Sequence, residues 1–441
     1  MKVHFIDKSE DTCVMFLCES LKFYNVSKSI KNVVNDILDG VPRCEIIEKY
    51  KMKAEAYDNI CRILSEAPVE DVTGEKTDTL YRLVLNVTNK CNLNCKYCYA
   101  EGGNYSSSEC LMSKETAKAA IDLFYSRYKA IKVIQFFGGE PLLNEPVIRF
   151  ACQYITELYE SGKIEMLPQF GTISNGTIYS DELAETISKY NISITFSIDG
   201  PKPIHDSMRV YKNGDGSFGR ILNNIEKYNQ FSVSPMAAEV TYNARHTENN
   251  YSVIDTIKYL KDDLRIPNVH IVPVSGDESV DYKLQNRDSF NDAVDEAFRE
   301  KSENDKDYSF TYLSRIIKSL KTRKSNKYLC EAGISNYSVS CRGDVYPCFM
   351  FTDVDEFRMG NIFDPVPVFE NPVFTEMKKK LKSFSKYKYE KCKNCFNNRV
   401  CSGCLGTNYF NSNDIDYTPD EECEMQKKLT EKVLIRLSDM V

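Results

Sequence analysis

Residues 81–99 read Tyr81-Arg-Leu-Val-Leu-Asn-Val87-Thr-Asn-Lys-Cys91-Asn-Leu-Asn-Cys95-Lys-Tyr97-Cys98-Tyr99, a β-forming run that breaks into three cysteines spaced CxxxCxxC. Soft thiolate ligands suit iron-sulfur sites, and three of them in one loop can hold three irons of a cubane cluster. The fourth iron is then left without a protein ligand. An open position of that kind is what a chemically active cluster needs and what a four-cysteine electron carrier lacks. A structural zinc knuckle would want a fourth ligand, and none of the four His lies near this loop.

Downstream, short β runs alternate with amphipathic helices. The strands are expected at Tyr81 to Val87, Lys132 to Phe137, Gln169 to Ser174, Ser193 to Ser197, Met236 to Val240 and Val269 to Val274. Helical stretches fall between them near 114–128, 145–160, 181–189, 219–229 and 249–262. Strands separated by helices imply right-handed crossovers and a parallel sheet. The expected fold is α/β, a partial (β/α)6 barrel over residues 79–275, with its ligand site at the C-terminal ends of the strands.

Residues 1–78 begin with two alternating apolar segments, Val3 to Ile6 and Cys13 to Leu17. Helices are expected at Val26 to Leu38, with Asn25 or Ser27 as N-cap, at Arg43 to Tyr50, and at Ala54 to Ser65. Two strands and three short helices resemble a winged-helix module, joined to the barrel by an apolar-poor linker from Ala67 to Asp78. Residues 276–329 read as a charged, helical bridging region. Residues 330–441 carry eight cysteines and little helical periodicity before Glu422 to Leu437. Metal would supply the order that this last segment's apolar pattern does not.

Seventeen cysteines in 441 residues is the informative feature of the composition. The count is odd, and eleven of them fall in three tight groups of metal-ligand candidates, which opposes a disulfide reading. Cys13, Cys18, Cys44, Cys61, Cys110 and Cys152 lie outside those groups and read as buried small apolar residues. Net charge is -7, with both signs mixed along the chain, so neither nucleic acid nor an anionic membrane is an expected partner. No long apolar run or secretory leader pattern is seen, which predicts a soluble, cytoplasmic protein.

Further residues with chemical character fall at the strand ends. Gly138-Gly139-Glu140-Pro141 follows the second strand, Ser174-Asn175-Gly176 the third, and Ser197-Ile-Asp199-Gly200 the fourth, with His205-Asp206 and Arg209 beyond. In this order, after CxxxCxxC, they resemble the radical S-adenosylmethionine (SAM) superfamily. The resemblance implies that the open iron of a [4Fe-4S] cluster on Cys91, Cys95 and Cys98 chelates the amino and carboxylate groups of SAM. An electron then cleaves the sulfonium to a 5'-deoxyadenosyl radical, supplied by a low-potential donor such as flavodoxin or ferredoxin. It further implies that Gly138, Gly139 and Glu140 receive the SAM amino group. Ser174, Asn175, Ser197 and Asp199 would meet the ribose and carboxylate, and Tyr97 the adenine. Arg209 is the candidate to bind the carboxylate bidentately. Without the resemblance, the two glycines already allow close approach of backbone to a ligand.

The C-terminal pattern is Cys330-x12-Gly343-x4-Cys348, then Cys392-x2-Cys395-x5-Cys401-x2-Cys404 and Cys423. It resembles the SPASM domain of radical SAM enzymes that modify peptides and proteins. That family usually has three residues, where this chain has two, between the positions of Cys401 and Cys404. The resemblance assigns Cys330, Cys348 and Cys404 to a first auxiliary [4Fe-4S] cluster and Cys392, Cys395, Cys401 and Cys423 to a second. Cys341 either completes the first cluster or leaves one iron there free for a substrate thiolate. Zinc ribbons are the competing reading of the CxxC pairs.

The N-terminal module resembles the leader-recognition element of enzymes that modify ribosomally made peptides, in which the leader adds as a strand. With 11 Lys+Arg against 15 Asp+Glu in residues 1–78, the DNA-binding reading of a winged helix is opposed. The expected activity is thioether formation between a Cys sulfur and a peptide carbon of a leader-bearing precursor, as in sactipeptide and ranthipeptide maturases. Carbon-carbon crosslinking and formylglycine formation in sulfatases are the alternatives within the same chemistry. A zinc-dependent winged-helix regulator is the alternative outside it.

Overall fold

The computed structural model describes residues 2–103, 107–275 and 279–440; the first three residues of the bridging region, 276–278, lie outside the described residues. The N-terminal module forms three antiparallel strands, β1 (Val3–Asp7), β2 (Thr12–Leu17) and β3 (Lys22–Ser27), in that spatial order. Helices Lys28–Leu38, Arg43–Tyr50 and Ala54–Leu64 follow. The third strand corrects the sequence reading, which began the first helix at Val26. Residues 22–27 pair continuously with β2, from Lys22 opposite Leu17 to Ser27 opposite Thr12. The helix starts only where Ser27 Oγ accepts from the Ile30 N–H.

Strand β2 is buried on both faces. Met15 and Leu17 join Val34 and Leu64 in a small core of the module's own, while Val14 and Phe16 belong to the main core of the molecule. The module's sheet packs against the C-terminal helix Asp420–Asp439. His4 Nε2 lies 2.7 Å from Glu431, Lys8 Nζ 2.6 Å from Asp439, and Asn25 donates to the Ser438 carbonyl at 2.6 Å. The linker is pinned by a two-residue ladder, β4 (Asp71–Val72) beside β11 (Ser325–Asn326), and by Glu75, which bridges Lys378 and Lys382.

The main sheet takes β5 (Thr79–Thr88), β6 (Ala130–Gly138), β7 (Gln169–Ser174), β8 (Ser193–Ser197), β9 (Ala237–Tyr242) and β10 (Asn268–Pro273), all parallel and in consecutive order. Helices Lys114–Arg127, Glu145–Glu160, Asp181–Lys189 and Phe218–Asn229 fill the crossovers as the periodicity predicts. The single helix expected at 249–262 is instead Ala244–Glu248 and Val253–Lys258, followed by a wider π turn at Tyr259–Asp263. Ser252 and Asp255 restart it with a reciprocal capping box.

Two further strands complete the sheet from the cysteine-rich region. β12 (Asn336–Val339) pairs in parallel with β5, from Asn336 opposite Arg82 to Val339 opposite Leu85, and β13 (Val345–Tyr346) pairs back on β12. The sequence reading placed no strand here, because four residues are too few for an alternation to register. The main core is continuous from Ile6 to Leu434 and includes Tyr337, Val339 and Val345. Bridging helices Asp288–Asn304 and Thr311–Thr322 pack on the C-terminal helix. Among the described residues, no helix is long and apolar enough to cross a membrane.

Candidate active site

The parallel arrangement puts the C-terminal ends of β5 to β8 at one end of the sheet, and the loop after β5 carries Cys91, Cys95 and Cys98. Its backbone is stitched to the end of β6. Gly139 N donates to the Thr88 carbonyl and Glu140 N to the Lys90 carbonyl, each at 2.9 Å. Gly138 has φ +139°, and a Cβ there would lie 1.9 Å from the Thr88 oxygen; at Gly139 it would lie 2.5 Å from the Lys90 oxygen. These glycines are therefore required by the close approach of the cysteine loop itself.

The three thiols are near enough that ionising Cys95 or Cys98 would hinder ionisation of Cys91. Burial pushes the Cys91 thiol up to about 12 and Cys95 up to about 11. Such thiols stay neutral until iron draws off their protons. Cys91 Sγ already receives the Leu93 N–H at 3.5 Å and Asn175 Nδ2 at 3.8 Å, which suits a sulfur that carries thiolate charge. This donor set fits an iron-sulfur cluster. Among the described residues, no three His, Cys, Asp or Glu side chains converge as they would on a single ion. A cubane asks less of them, because each thiolate takes its own iron.

Glu140 is fully buried, and its carboxylate ties strand ends together. One oxygen accepts from Leu142 N at 3.0 Å and Ser174 Oγ at 2.9 Å, the other from Asn175 N at 2.7 Å. Burial raises its pKa to about 7 against those three donors. Asn175 also holds Asn92 of the cysteine loop, Nδ2 to Oδ1 at 2.9 Å. Glu140, Ser174 and Asn175 thus form one framework that positions Cys91.

Asp199, Arg209 and Tyr97 form a second framework. Arg209 Nε lies 3.2 Å from Asp199 Oδ2, the Tyr97 hydroxyl donates to the same carboxylate, and the guanidinium stacks 5.3 Å from the Tyr97 ring centroid. Burial would raise the Asp199 carboxyl, but Arg209, His205 and the Tyr97 hydroxyl outweigh it and hold it below the usual range. His205 and His246, neither of them given a role from sequence, fix this aspartate's backbone. Asp199 N donates to His205 Nδ1 at 3.3 Å, while His246 Nε2 lies 2.6 Å from the Asp199 carbonyl. Since His205 Nδ1 accepts, Nε2 carries the proton toward Ser217 Oγ at 2.9 Å, and burial lowers the imidazole to about 4. Ser197, at the end of β8, is half-buried.

Beside the cysteine loop lies a cavity of about 320 Å³ lined by Asn92, Thr177, Tyr179, Tyr211, Arg220 and Lys227 among others. Two cations and no carboxylate line it. Neither Arg220 nor the cavity was singled out from sequence, where an exposed arginine at a helix start carries no signal.

The C-terminal cysteines separate into two sets. Burial raises the Cys330 and Cys348 thiols, with Cys404 adding to both and Cys330 to Cys348, and Met350 Sδ lies 3.5 Å from Cys404 Sγ. Cys341 does not join them. It is buried in the tight turn between β12 and β13, beside Cys110, Arg342 and Asp353. Gly343, at φ +89°, lies in that same turn. Cys44 is exposed, and Cys61 and Cys110 are only half-buried, so the six outlying cysteines are not uniformly core.

Cys392, Cys395, Cys401 and Cys423 line one pocket together with Lys386, Lys391 and Lys427, and among the described residues no carboxylate lines it. Lys386 is 4% exposed, donates to the Cys401 carbonyl at 3.1 Å, and burial lowers its pKa. A buried ammonium facing four thiols fits a site made for a negatively charged cluster.

Residues 85–262 match the model of the Radical SAM superfamily, and residues 330–396 that of an iron-sulfur cluster-binding domain, SPASM. An uncharacterized protein of Methanocaldococcus jannaschii is 41% identical over 32% of this chain, and the match spans 46% of that relative's length. A cysteine-type anaerobic sulfatase-maturating enzyme of Clostridium novyi is 26% identical over 74% of this chain and 88% of its own. The radical SAM cyclopropyl synthase TigE of Paramaledivibacter caminithermalis is 32% identical over 35% of this chain and 33% of its own. Among solved structures, native anSMEcpe with bound AdoMet superposes with TM-score 0.66 at 20% identity, over 82% of this chain and all of that one. Streptococcus suis SuiB bound to precursor peptide SuiA superposes with TM-score 0.54 at 14% identity, over 96% of this chain and all of that one.

Proposed function

We propose, for a chain that is a radical SAM enzyme with a SPASM domain and [4Fe-4S] clusters and SAM as cofactors, that it installs thioether crosslinks in a ribosomally made precursor peptide. The observation that supports this reading is that Cys330, Cys348 and Cys404 lie near one another while Cys341 packs beside Cys110. A cluster on three thiolates keeps one iron for a substrate sulfur. When bound, SAM and the clusters supply a 5'-deoxyadenosyl radical to take a hydrogen atom from a peptide carbon and a sink for the electron released as the carbon-sulfur bond closes.

The chain's own residues have separable roles in this reading. Cys91, Cys95 and Cys98 hold the SAM-binding cluster, with Asn175 donating to Cys91. The strand-end backbone at Gly138 and Gly139, with Glu140 behind it, faces the SAM amino group; Ser174, Ser197 and Tyr97 border the rest of the cosubstrate. Its carboxylate is assigned to Arg220 in place of Arg209. Arg220 lines a cavity that reaches Asn92, and no ion pair engages it among the described residues, while Arg209 is neutralised by Asp199. Cys392, Cys395, Cys401 and Cys423 hold the second auxiliary cluster. We read the consecutive parallel strands as the wall of a partial barrel around this site.

The leader is assigned to the N-terminal module. Among the described residues β3 pairs with no strand but β2, and Tyr24, Val26, Ile60 and Ile63 are half-buried on the module's small core, enough apolar surface to seat an added strand. The presence of this three-strand, three-helix module ahead of the parallel sheet supports this reading over sulfatase maturation. The test is anaerobic co-expression with a leader-bearing, Cys-rich peptide encoded beside the gene. Mass spectrometry should find two hydrogens lost per bond, with the Cys sulfurs no longer alkylatable. Loss of two hydrogens with every Cys still alkylatable would replace the reading with carbon-carbon crosslinking.

A further inference from the structure

The cage of Cys392, Cys395, Cys401 and Cys423 contains one charge that the fold has no internal reason to bury. Lys386 is 4% exposed, and no salt bridge to a carboxylate is found for it among the described residues. Its one hydrogen bond from the ammonium goes to the Cys401 carbonyl at 3.1 Å. The nearest carboxylate, Asp71, is already engaged by Arg399 at 3.2 Å and by the Tyr387 hydroxyl at 2.9 Å. Burying a lone ammonium costs several kcal/mol unless an anion compensates it. The backbone around Lys386 is nonetheless built to keep it there. Asn398 donates to the Lys386 carbonyl at 2.9 Å and to the Cys392 carbonyl at 2.7 Å, so one amide fixes the lysine and a thiol of the cage together.

The other lysines of the cage differ. Lys391 reaches Asp420 and Lys427 reaches Glu424 at 2.8 Å, and both acids are exposed. Their charges are compensated at the surface, which leaves Lys386 as the unneutralised cation inside.

We propose that Lys386 is the counter-ion of the second auxiliary cluster and sets its reduction potential, holding it above that of a cage without the charge. This rests on the assignment of those four cysteines to a cluster. Four thiolates on a [4Fe-4S] core leave net negative charge in every working redox state, and each added electron deepens it. A fixed, buried ammonium favours the more negative, reduced state. In the reaction proposed above, that preference makes the second cluster the place where the surplus electron of bond closure comes to rest.

The experiment is an anaerobic redox titration of the fully loaded enzyme followed by electron paramagnetic resonance, with iron counted per chain. Lys386→Met and Lys386→Gln are compared with Lys386→Arg. At a fixed solution potential, the ratio of reduced to oxidised second cluster should fall about tenfold in Met and Gln, equivalent to about 59 mV for one electron. The Arg variant should restore it, and the SAM-binding cluster should not move. An unchanged ratio with full iron content overturns the proposal while leaving the cluster assignment intact. If Met and Gln lose four irons, Arg decides: retention there supports the counter-ion role, and loss there too overturns it. Separately, full iron content in Cys392→Ala/Cys395→Ala would refute the assignment beneath it.

Discussion

Two cysteine regions of this molecule hold thiols in opposite ways. The loop at Cys91, Cys95 and Cys98 offers three thiols, glycine backbone, and a neighbouring cavity lined by Arg220 and Lys227. The cage at Cys392, Cys395, Cys401 and Cys423 offers four thiols, a pocket and a buried lysine. The first is bordered by room for a ligand; the second is lined by three lysines. The difference is that between a site that must bind and one that need only hold charge.

The sharpest way to break that contrast is to remove each set in turn. Replacing Cys91, Cys95 and Cys98 by Ala should bring 5'-deoxyadenosine production to background, a loss of at least about a thousandfold on the scale of lost catalytic chemistry. Unchanged production, followed by chromatography, would refute the assignment of the loop. Cys423→Ala should leave uncoupled SAM cleavage within a few fold of wild type but lower crosslinked product by about 10- to 100-fold, the scale seen for disturbed metal sites. Equal losses in both assays would show that the two regions do not divide the labour.

A smaller effect is expected at the peptide-recognition module. Deleting it is a poor test, since that would strip the C-terminal helix of its cover. Ile63→Lys, which leaves that interface alone, should weaken leader binding about tenfold in a fluorescence titration, with SAM cleavage unaltered. Unaltered leader affinity would move the recognition surface elsewhere.

The smallest effect concerns His205, which holds the Asp199 backbone. Its folded-state pKa of about 4 lies below the unfolded value of 6.5. Between those limits the unfolded chain binds a proton that the folded chain refuses, so stability is fully present above pH 6.5 and falls as pH drops toward 4. The slope is about 1.4 kcal/mol per pH unit. Glu140, raised to about 7, works oppositely, losing stability as pH rises from 4.5 to 7. The difference between wild type and His205→Gln in denaturation midpoint should isolate the histidine's part. A constant difference across that interval would mean the imidazole is charged when folded.

How far the site could be read from the chain varied by region. Strands Gln169–Ser174 and Ser193–Ser197 and helices Glu145–Glu160 and Asp181–Lys189 match the periodic reading to the residue, because each buries one face on the same core. β3 escaped it: Lys22-Phe-Tyr-Asn-Val carries a half-polar pattern that also suits a helix start, and only pairing with β2 decides. β12 escaped it because a four-residue strand takes its identity from β5.

Spacing alone determined that this chain gathers thiols for iron-sulfur chemistry, since three or four cysteines within a loop have few other uses and local chain geometry suffices to bring them together. Which thiols gather across the molecule was settled only by tertiary structure. Cys341 lies seven residues from Cys348 in sequence yet packs with Cys110. Likewise Arg209 reads as a free cation in one dimension. In three dimensions Asp199 claims it, for a buried charge must find its partner wherever the fold puts one.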